Sequence, residues 1–458
     1  MNRSTISFLG EQNAPTIAER RAAGKALRTR APRVSHATWS PAPDRPDPIS
    51  LLEESNRSRI AALVPLRYGR MITSPFAFLR GSAVVMAGDL AMTPNTGIQV
   101  QACGDAHLSN FGTYATPERN QVFDVNDFDE TLPGPWEWDV KRLAASIVVA
   151  GRQNGYSAAS TRQASLNCLR MYREHMWEFG EMRHIDVWYS CIDAQSILKR
   201  VGRSNRSFID RELEKAHHHT GLQVFPRLTS EINGHYSIKD DPPLITHLDD
   251  DERKRWLQAL LEGYEASLPD DRRVLLNRYR VVDLAQKVVG VGSVGTHCYI
   301  ALLLGSEDSD PLFLQIKEAQ AAALERHLAG SAYPNHAQRV VSGQHLMQAA
   351  SDIFLGWTSS GSIDCYIRQL RDMKETPSVE HLLEGDFIQY AGLCGWTLAR
   401  AHARSGDPAQ ISGYLGTNDQ FDRAVAAFAQ AYADQTERDH AELVASARAG
   451  RVPVEAAG

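Results

Sequence analysis

At 458 residues, with 43% hydrophobic and 23% charged side chains, the chain is long enough for two or three domains or one large bilobal enzyme with an ample core. A formal net charge of −6 gives no overall case for nucleic acid or an anionic membrane as a partner. Six scattered cysteines without a C-x-x-C pair, and no apolar run near the ~20 residues of a membrane span, argue against a disulfide framework, a zinc module or a membrane protein. A cytoplasmic chain is expected.

Residues 1–50 are rich in Arg, Pro, Ser and Ala, with Pro41, Pro43, Pro46 and Pro48 close together. This composition predicts a flexible or extended lead-in, and without an apolar core no signal peptide is expected. A helical period follows from Ser50 to Arg70 (Leu52, Ile60, Leu63, Val64). Arg67, Arg70 and Arg80 are candidate phosphate ligands, since a guanidinium fork matches phosphate oxygens; structural pairing is the alternative.

Residues 101–139 concentrate the chemistry. An apolar lead (Ile98, Val100) enters Gly104-Asp105-Ala106-His107, and Asn110 follows. A turn-rich insert precedes Val122-Phe123, which delivers Asp124, Asp127 and Asp129. The pattern predicts a strand, a first loop, a hairpin and an acid-bearing second loop. Trp138 to Arg152 then reads as a buried helix, with Val140, Leu143, Ala144, Ile147 and Val148 on one face, and another helix is expected over 161–179. Residues 180–270 mix helical segments with polar turns and are expected to supply much of an acceptor site. Within them His217-His218-His219 cannot all face one ion from a helix, which needs i, i+3 or i, i+4 spacing, so a solvated turn is expected.

From about Val281 the pattern changes to strands. Gly290-Val291-Gly292-Ser293-Val294-Gly295 lies between two runs of β-branched and aliphatic residues, and Leu312 to Lys317 makes a third strand. A dinucleotide loop would join a strand to a helix with an acid about 20 residues on, which this context does not offer. The setting suits the kinase arrangement, in which a glycine hairpin covers nucleotide phosphates and a lysine on the third strand contacts them. A plain structural hairpin stays open. Helical sequence over 318–329 and 336–350, strands at Ile353-Phe354-Leu355 and Cys365 to Leu370, and helices over 386–405 and 420–448 complete the chain.

The run Gly104-Asp105-Ala106-His107-Leu108-Ser109-Asn110 resembles the G-D-x-H-x-x-N loop of aminoglycoside and choline phosphotransferases, members of the protein-kinase-like superfamily. Asp127-Phe128-Asp129, Gly134-Pro135 and Trp138-Asp139 resemble their "I-D-F…G-D-P…Y-D-L-A" pattern, with a matching twelve-residue step from Asp127 to Asp139. From Arg67-Tyr68-Gly69-Arg70-Met71 through Ile353-Phe354-Leu355-Gly356-Trp357 to Ala401-His402-Ala403-Arg404-Ser405-Gly406-Asp407, the chain is identified as a member of the bacterial DUF2252 family.

The resemblance implies an ATP- and Mg²⁺-dependent phosphotransferase acting on a small hydroxyl-bearing acceptor. Asp105 would accept or orient the hydroxyl proton, His107 would order the catalytic loop, and Asp139 would anchor its helix to that loop. Asn110 and Asp127 would hold Mg²⁺, with Asp124 and Asp129 as competitors for the metal. Lys317 would meet the nucleotide phosphates, with Gly290, Gly292, Ser293 and Gly295 forming the covering loop.

The glycine loop and lysine precede the catalytic loop in ordinary kinases but follow it here. The resemblance therefore implies an α+β, protein-kinase-like bilobal fold that is circularly permuted: a helical catalytic lobe at 51–275, a nucleotide-binding β lobe at 276–375, and C-terminal helices at 376–458. One departure concerns the glutamate that usually pairs with the lysine. Ser342 stands where the family commonly has it, and no glutamate occurs between Arg326 and Lys374. Glu318 or Glu325 could substitute. A nucleotide-binding pseudokinase or regulator, a nucleotidyl transferase and, less well matched to one loop histidine among oxygen donors, a metallohydrolase stay open.

Overall fold

A computed structural model describes residues 15–193, 197, 221–232, 234–307, 309–370 and 373–455. Residues 1–14 and the His217–His219 run lie outside the described residues.

Two short antiparallel ladders shape the chemistry-bearing stretch. Strand β1 (Gln99–Ala102) pairs with β4 (Leu132–Pro135), and β2 (Phe111–Ala115) pairs with β3 (Gln121–Val125). Ala102 lies opposite Leu132, and Phe111 lies opposite Val125. The loop from Cys103 to Asn110 and the loop from Asn126 to Thr131 are thus tied together at both ends, and they run side by side. Gly104 closes the gap between them. Its φ is +83°, and a Cβ there would lie 2.1 Å from Glu130 O, so only glycine allows this approach. The expected order of strand, loop, hairpin, second loop and helix is what forms.

The helix Trp136–Gln153 follows and is buried along almost its whole length. Ala158–Glu181, Glu384–Ser405 and Gln420–Arg448 pack around it, and their apolar faces form one large core with β1 and β3. Its small residues Ala144, Ala145 and Ala150 let several helices approach it at once.

Residues 15–50 differ from the flexible lead-in expected. Ile17–Ala26 is a helix whose first turn is held by a capping box between Thr16 and Glu19. Gly24 approaches Gln410 O so closely that a Cβ would stand 1.9 Å away. Arg28 donates to Tyr414 O and Gly413 O, and Arg33 to Leu415 O, satisfying the end carbonyls of the helix Pro408–Leu415. Two arginines of the expected lead-in are therefore helix-terminal caps. Pro48 sits in the first turn of the helix Pro48–Ser55, where its missing N–H costs nothing.

The second half centres on a six-stranded antiparallel sheet. A separate hairpin of β5 (Thr229–Ile232) and β6 (His235–Ile238) precedes it. The sheet contains β7 (Ile245–His247), β8 (Arg280–Lys287), β9 (Cys298–Leu304), β10 (Pro311–Glu318), β11 (Gly356–Ser360) and β12 (Ile363–Gln369) in the order β11-β12-β10-β9-β8-β7. Strand β9 is apolar throughout because both its faces are covered. Tyr299, Ala301 and Leu303 meet Trp256 and Tyr264, while Ile300, Leu302 and Leu304 belong to the opposite cluster with Ile238 and Phe313. The helix His336–Met347 packs on β11 and β12 and on Glu384–Ser405, joining sheet to helical core.

Three expectations need correction. The boundary at residue 276 falls too late, because β7 is the sheet's edge strand and Trp256 and Tyr264 pack on its face. Ile353-Phe354-Leu355 is a turn, and the strand begins at Gly356. Helix over 318–329 is limited to one short turn, Ala323–Arg326. The chain is thus mixed α/β, and among the described residues no helix is long and apolar enough to cross a membrane.

Candidate functional site

The loop after β1 is fixed before any ligand arrives. Asp139, in the first turn of Trp136–Gln153, accepts from Cys103 N at 2.6 Å and Gly104 N at 2.9 Å. His402 Nε2 lies 3.1 Å from the same carboxylate, and its Nδ1 is 2.9 Å from Tyr172 Oη. Asp139 thereby has the anchoring geometry expected of it. Asn110 donates from Nδ2 to Asp105 O at 2.7 Å, which leaves its amide oxygen as the remaining donor atom.

Asp105 carries a partner that sequence patterns did not reveal. Arg142, three residues beyond Asp139, is buried and reaches Asp105 Oδ1 with Nε at 2.7 Å and Nη2 at 2.5 Å, while also donating to Leu79 O. The only cue is that Arg142 lies in a helix that is buried along almost its whole length, where a guanidinium requires a partner. His107 Nε2 is 3.6 Å from Asp105 Oδ2. Burial pushes the His107 imidazole down to about 4, outweighing the attraction of Asp105, so it is neutral near pH 7.

The second loop meets the sheet. Lys317, on β10, is buried, with Nζ 2.5 Å from Asp129 Oδ2 and 3.6 Å from Asp127 Oδ2. Tyr366 Oη donates to Asp129 Oδ1 at 2.8 Å from the neighbouring strand β12. Burial opposes charge on Lys317, but Asp127 and Asp129 raise its ammonium well above the usual range. Burial is also the largest influence on Asp127 and pushes it up. The cations Lys317, Arg368 and Lys374 outweigh it and hold the carboxyl at about 2. Asp124 is a different case: fully buried, it pairs with Arg400 at 2.7 Å and accepts from Ala349 N, so it serves packing and is no competitor for a metal.

Lys317 thus finds its acids in the loop after β3. Glu318 instead accepts from His297 N, and Glu325 from Ala322 N and Ser331 N. Arg339, on His336–Met347, donates to Asp129 O, Thr131 O and Gln320 O, so that helix holds the acid loop through a cation.

One cleft of about 1130 Å³ gathers these groups. Asp105, His107, Asn110, Asp127, Asp129, Gly290, Gly292, Ser293 and Lys317 all line it, as do Arg59, Arg80, Glu130, Arg368 and Lys374. Gly295 lies outside the lining. With φ +86° it packs on Arg59, and its carbonyl accepts from Ile60 N. The glycine segment is a hairpin turn between β8 and β9, and its carbonyls are held from outside the sheet, Val294 O by Arg59 and Val289 O by Arg70. Ser293 Oγ sits 3.5 Å from Asp129 Oδ2.

For two of the three arginines the structural alternative holds: Arg67, at the edge of the cleft, is buried and donates to Asn56 Oδ1 and Gly81 O, and Arg70 donates to Val289 O. One expectation about the walls fails. No described residue from 180 to 270 lines the cleft; residues 54–84 and 374–380 form that wall.

The donors facing the cleft suit a hard cation accompanied by phosphate. Asp127, Asp129 and the Asn110 amide offer oxygen only, and among the described residues no group of three or more His, Cys, Asp or Glu could hold a metal ion. Mg²⁺ is commonly held by one or two carboxylates together with substrate phosphates, and the cleft volume accommodates a nucleotide.

No curated protein and no solved structure matches this chain. Residues 59–446 match the model of a family described as "Uncharacterized protein conserved in bacteria (DUF2252)", which takes in both loops, the glycine hairpin, Lys317 and the helix bearing His402 and thereby shows that the chain belongs to that family.

Proposed function

We propose that the protein is an ATP- and Mg²⁺-dependent phosphotransferase of protein-kinase-like type, circularly permuted, that acts on a hydroxyl of a small molecule. The observation that carries this reading is the meeting of Lys317 with Asp127 and Asp129 in the cleft that Asp105 and Asn110 also line. Phosphoryl transfer asks mainly for positioning and charge neutralisation, and these are the groups it uses. Asp127 and Asn110 would hold Mg²⁺, while Asp129 faces Lys317; when bound, the ion would neutralise phosphate charge. Lys317 would contact the phosphates, and the segment from Gly290 to Ser293 would cover them. Asp105 would orient the acceptor hydroxyl, with Arg142 fixing the carboxylate's direction.

A non-catalytic nucleotide-binding protein is the second reading. The Arg142–Asp105 pair favours it, because both guanidinium contacts fall on Asp105 Oδ1 and occupy an oxygen that would otherwise face an acceptor hydroxyl. Incubation with γ-labelled ATP and Mg²⁺ separates the two. The transferase reading expects slow release of labelled phosphate to water or an acceptor, abolished by Asp105→Asn. Nucleotide binding with no turnover in either protein supports the second reading.

A further inference from the structure

Several charged groups of the cleft have polar partners: Arg142 pairs with Asp105, Lys317 lies against Asp127 and Asp129, and Arg59 and Arg368 donate to neutral oxygens. Arg80 lines the same cleft, yet among the described residues its guanidinium makes no ion pair or hydrogen bond. Its Nε is buried without a partner. Asp105, Asp127 and Glu380 are near enough for their charges to act on it, but none is within pairing distance.

Its position is well defined. The guanidinium carbon lies 5.9 Å from the centroid of the Phe76 ring, and Phe76 packs edge-on against His107. The Arg80 carbonyl lies 3.3 Å from where a Cβ on Gly292 would stand. Arg80 therefore stands between the Asp105 loop and the glycine hairpin, on the wall formed by residues 54–84. Ser109, Thr376 and Ser378 add polar groups to the same cleft. Arg80 is half-buried and its Nε fully so; a donor buried without an acceptor is costly, and a carboxylate or phosphate bound in the cleft would supply the two acceptors its fork matches.

We propose that Arg80 forms a subsite for an anionic group on the acceptor, so that the substrate carries a phosphate or carboxylate as well as the hydroxyl that is phosphorylated. This rests on the phosphotransferase reading. Neutral and polycationic acceptors would leave Arg80 without a partner and are disfavoured.

The test is a calorimetric titration of the full chain with inorganic phosphate and, separately, with succinate, each with and without saturating ADP and Mg²⁺. Saturable binding of at least one anion is expected with ADP present, and the better anion identifies the group. Arg80→Gln is expected to weaken that binding about tenfold or more while ADP affinity is kept, and Arg80→Lys to weaken it less, since an ammonium keeps the charge but loses the fork. If Arg80→Gln does not fold, Arg80→Lys decides, and unchanged affinity there overturns the proposal. Absence of saturable anion binding to the folded wild type also overturns it. So does binding that Lys317→Met removes and Arg80→Gln leaves intact, which would put the anion in the phosphate position of the nucleotide. Failure of the phosphotransferase reading shows separately, as absence of ADP binding, while the nucleotide-free titrations still report on Arg80.

Discussion

Lys317 Nζ lies 2.5 Å from Asp129 Oδ2, although nearly two hundred residues separate them in the chain. The contact joins the central strand of the sheet to the loop after β3, and Tyr366 braces its far side. A buried ammonium is tolerated there because two carboxylates face it. The cleft is in this sense assembled by its charges.

Lys317→Met removes that cation and leaves Asp127 and Asp129 facing each other. Both carboxylates open partly on the cleft, at 34% and 28% exposure, so water relieves some of the repulsion. A loss of about 1–2 kcal/mol is expected in urea denaturation, below the 3–5 kcal/mol typical of breaking a fully buried pair. Nucleotide affinity should fall with it. An unchanged midpoint would mean that the pair contributes nothing to the fold.

Glu130 gives the cleft a pH dependence near neutrality. Burial, helped by the Asp105 and Asp129 charges and opposed by the Ala323 N–H, pushes its carboxyl from 4.5 up to about 7. The folded chain therefore holds a proton there that the unfolded chain has lost. Its contribution to stability is complete below about pH 4.5 and declines as pH rises through about 7. Relative to wild type, Glu130→Gln should gain melting temperature between pH 5 and pH 8, and a difference that stays flat would contradict this.

Arg400 and Asp124 are a packing pair. Both are fully buried, and Arg400 also donates to Met347 O. Arg400→Met strands the Asp124 carboxylate and should cost about 3–5 kcal/mol in chemical denaturation. Little or no change would show that Asp124 has other compensation and could be free for a ligand.

Much of the site was legible because its information is local. The apolar lead of β1, the acids after β3 and the buried face of Trp136–Gln153 each follow from periodicities a few residues long. The glycine hairpin was legible too, because β-branched residues flank it on both sides. What escaped were relations between distant segments. Arg142 reads as an ordinary helix position until its carboxylate is found, and Tyr366 as an ordinary strand residue. Residues 15–50 looked flexible because composition does not reveal that Arg28 and Arg33 cap a helix near residue 415. Strand β7 was missed because three residues bounded by polar turns give too short a pattern to detect.

The most direct measurement is a calorimetric titration of a non-hydrolysable ATP analogue into wild-type protein and Asp127→Ala, each with and without Mg²⁺. Binding to the wild type is expected to strengthen at least about tenfold with Mg²⁺, and Asp127→Ala is expected to bind weakly and equally in both conditions. Absence of nucleotide binding to the wild type, or Mg²⁺-independent binding untouched by Asp127→Ala, would contradict the phosphotransferase reading.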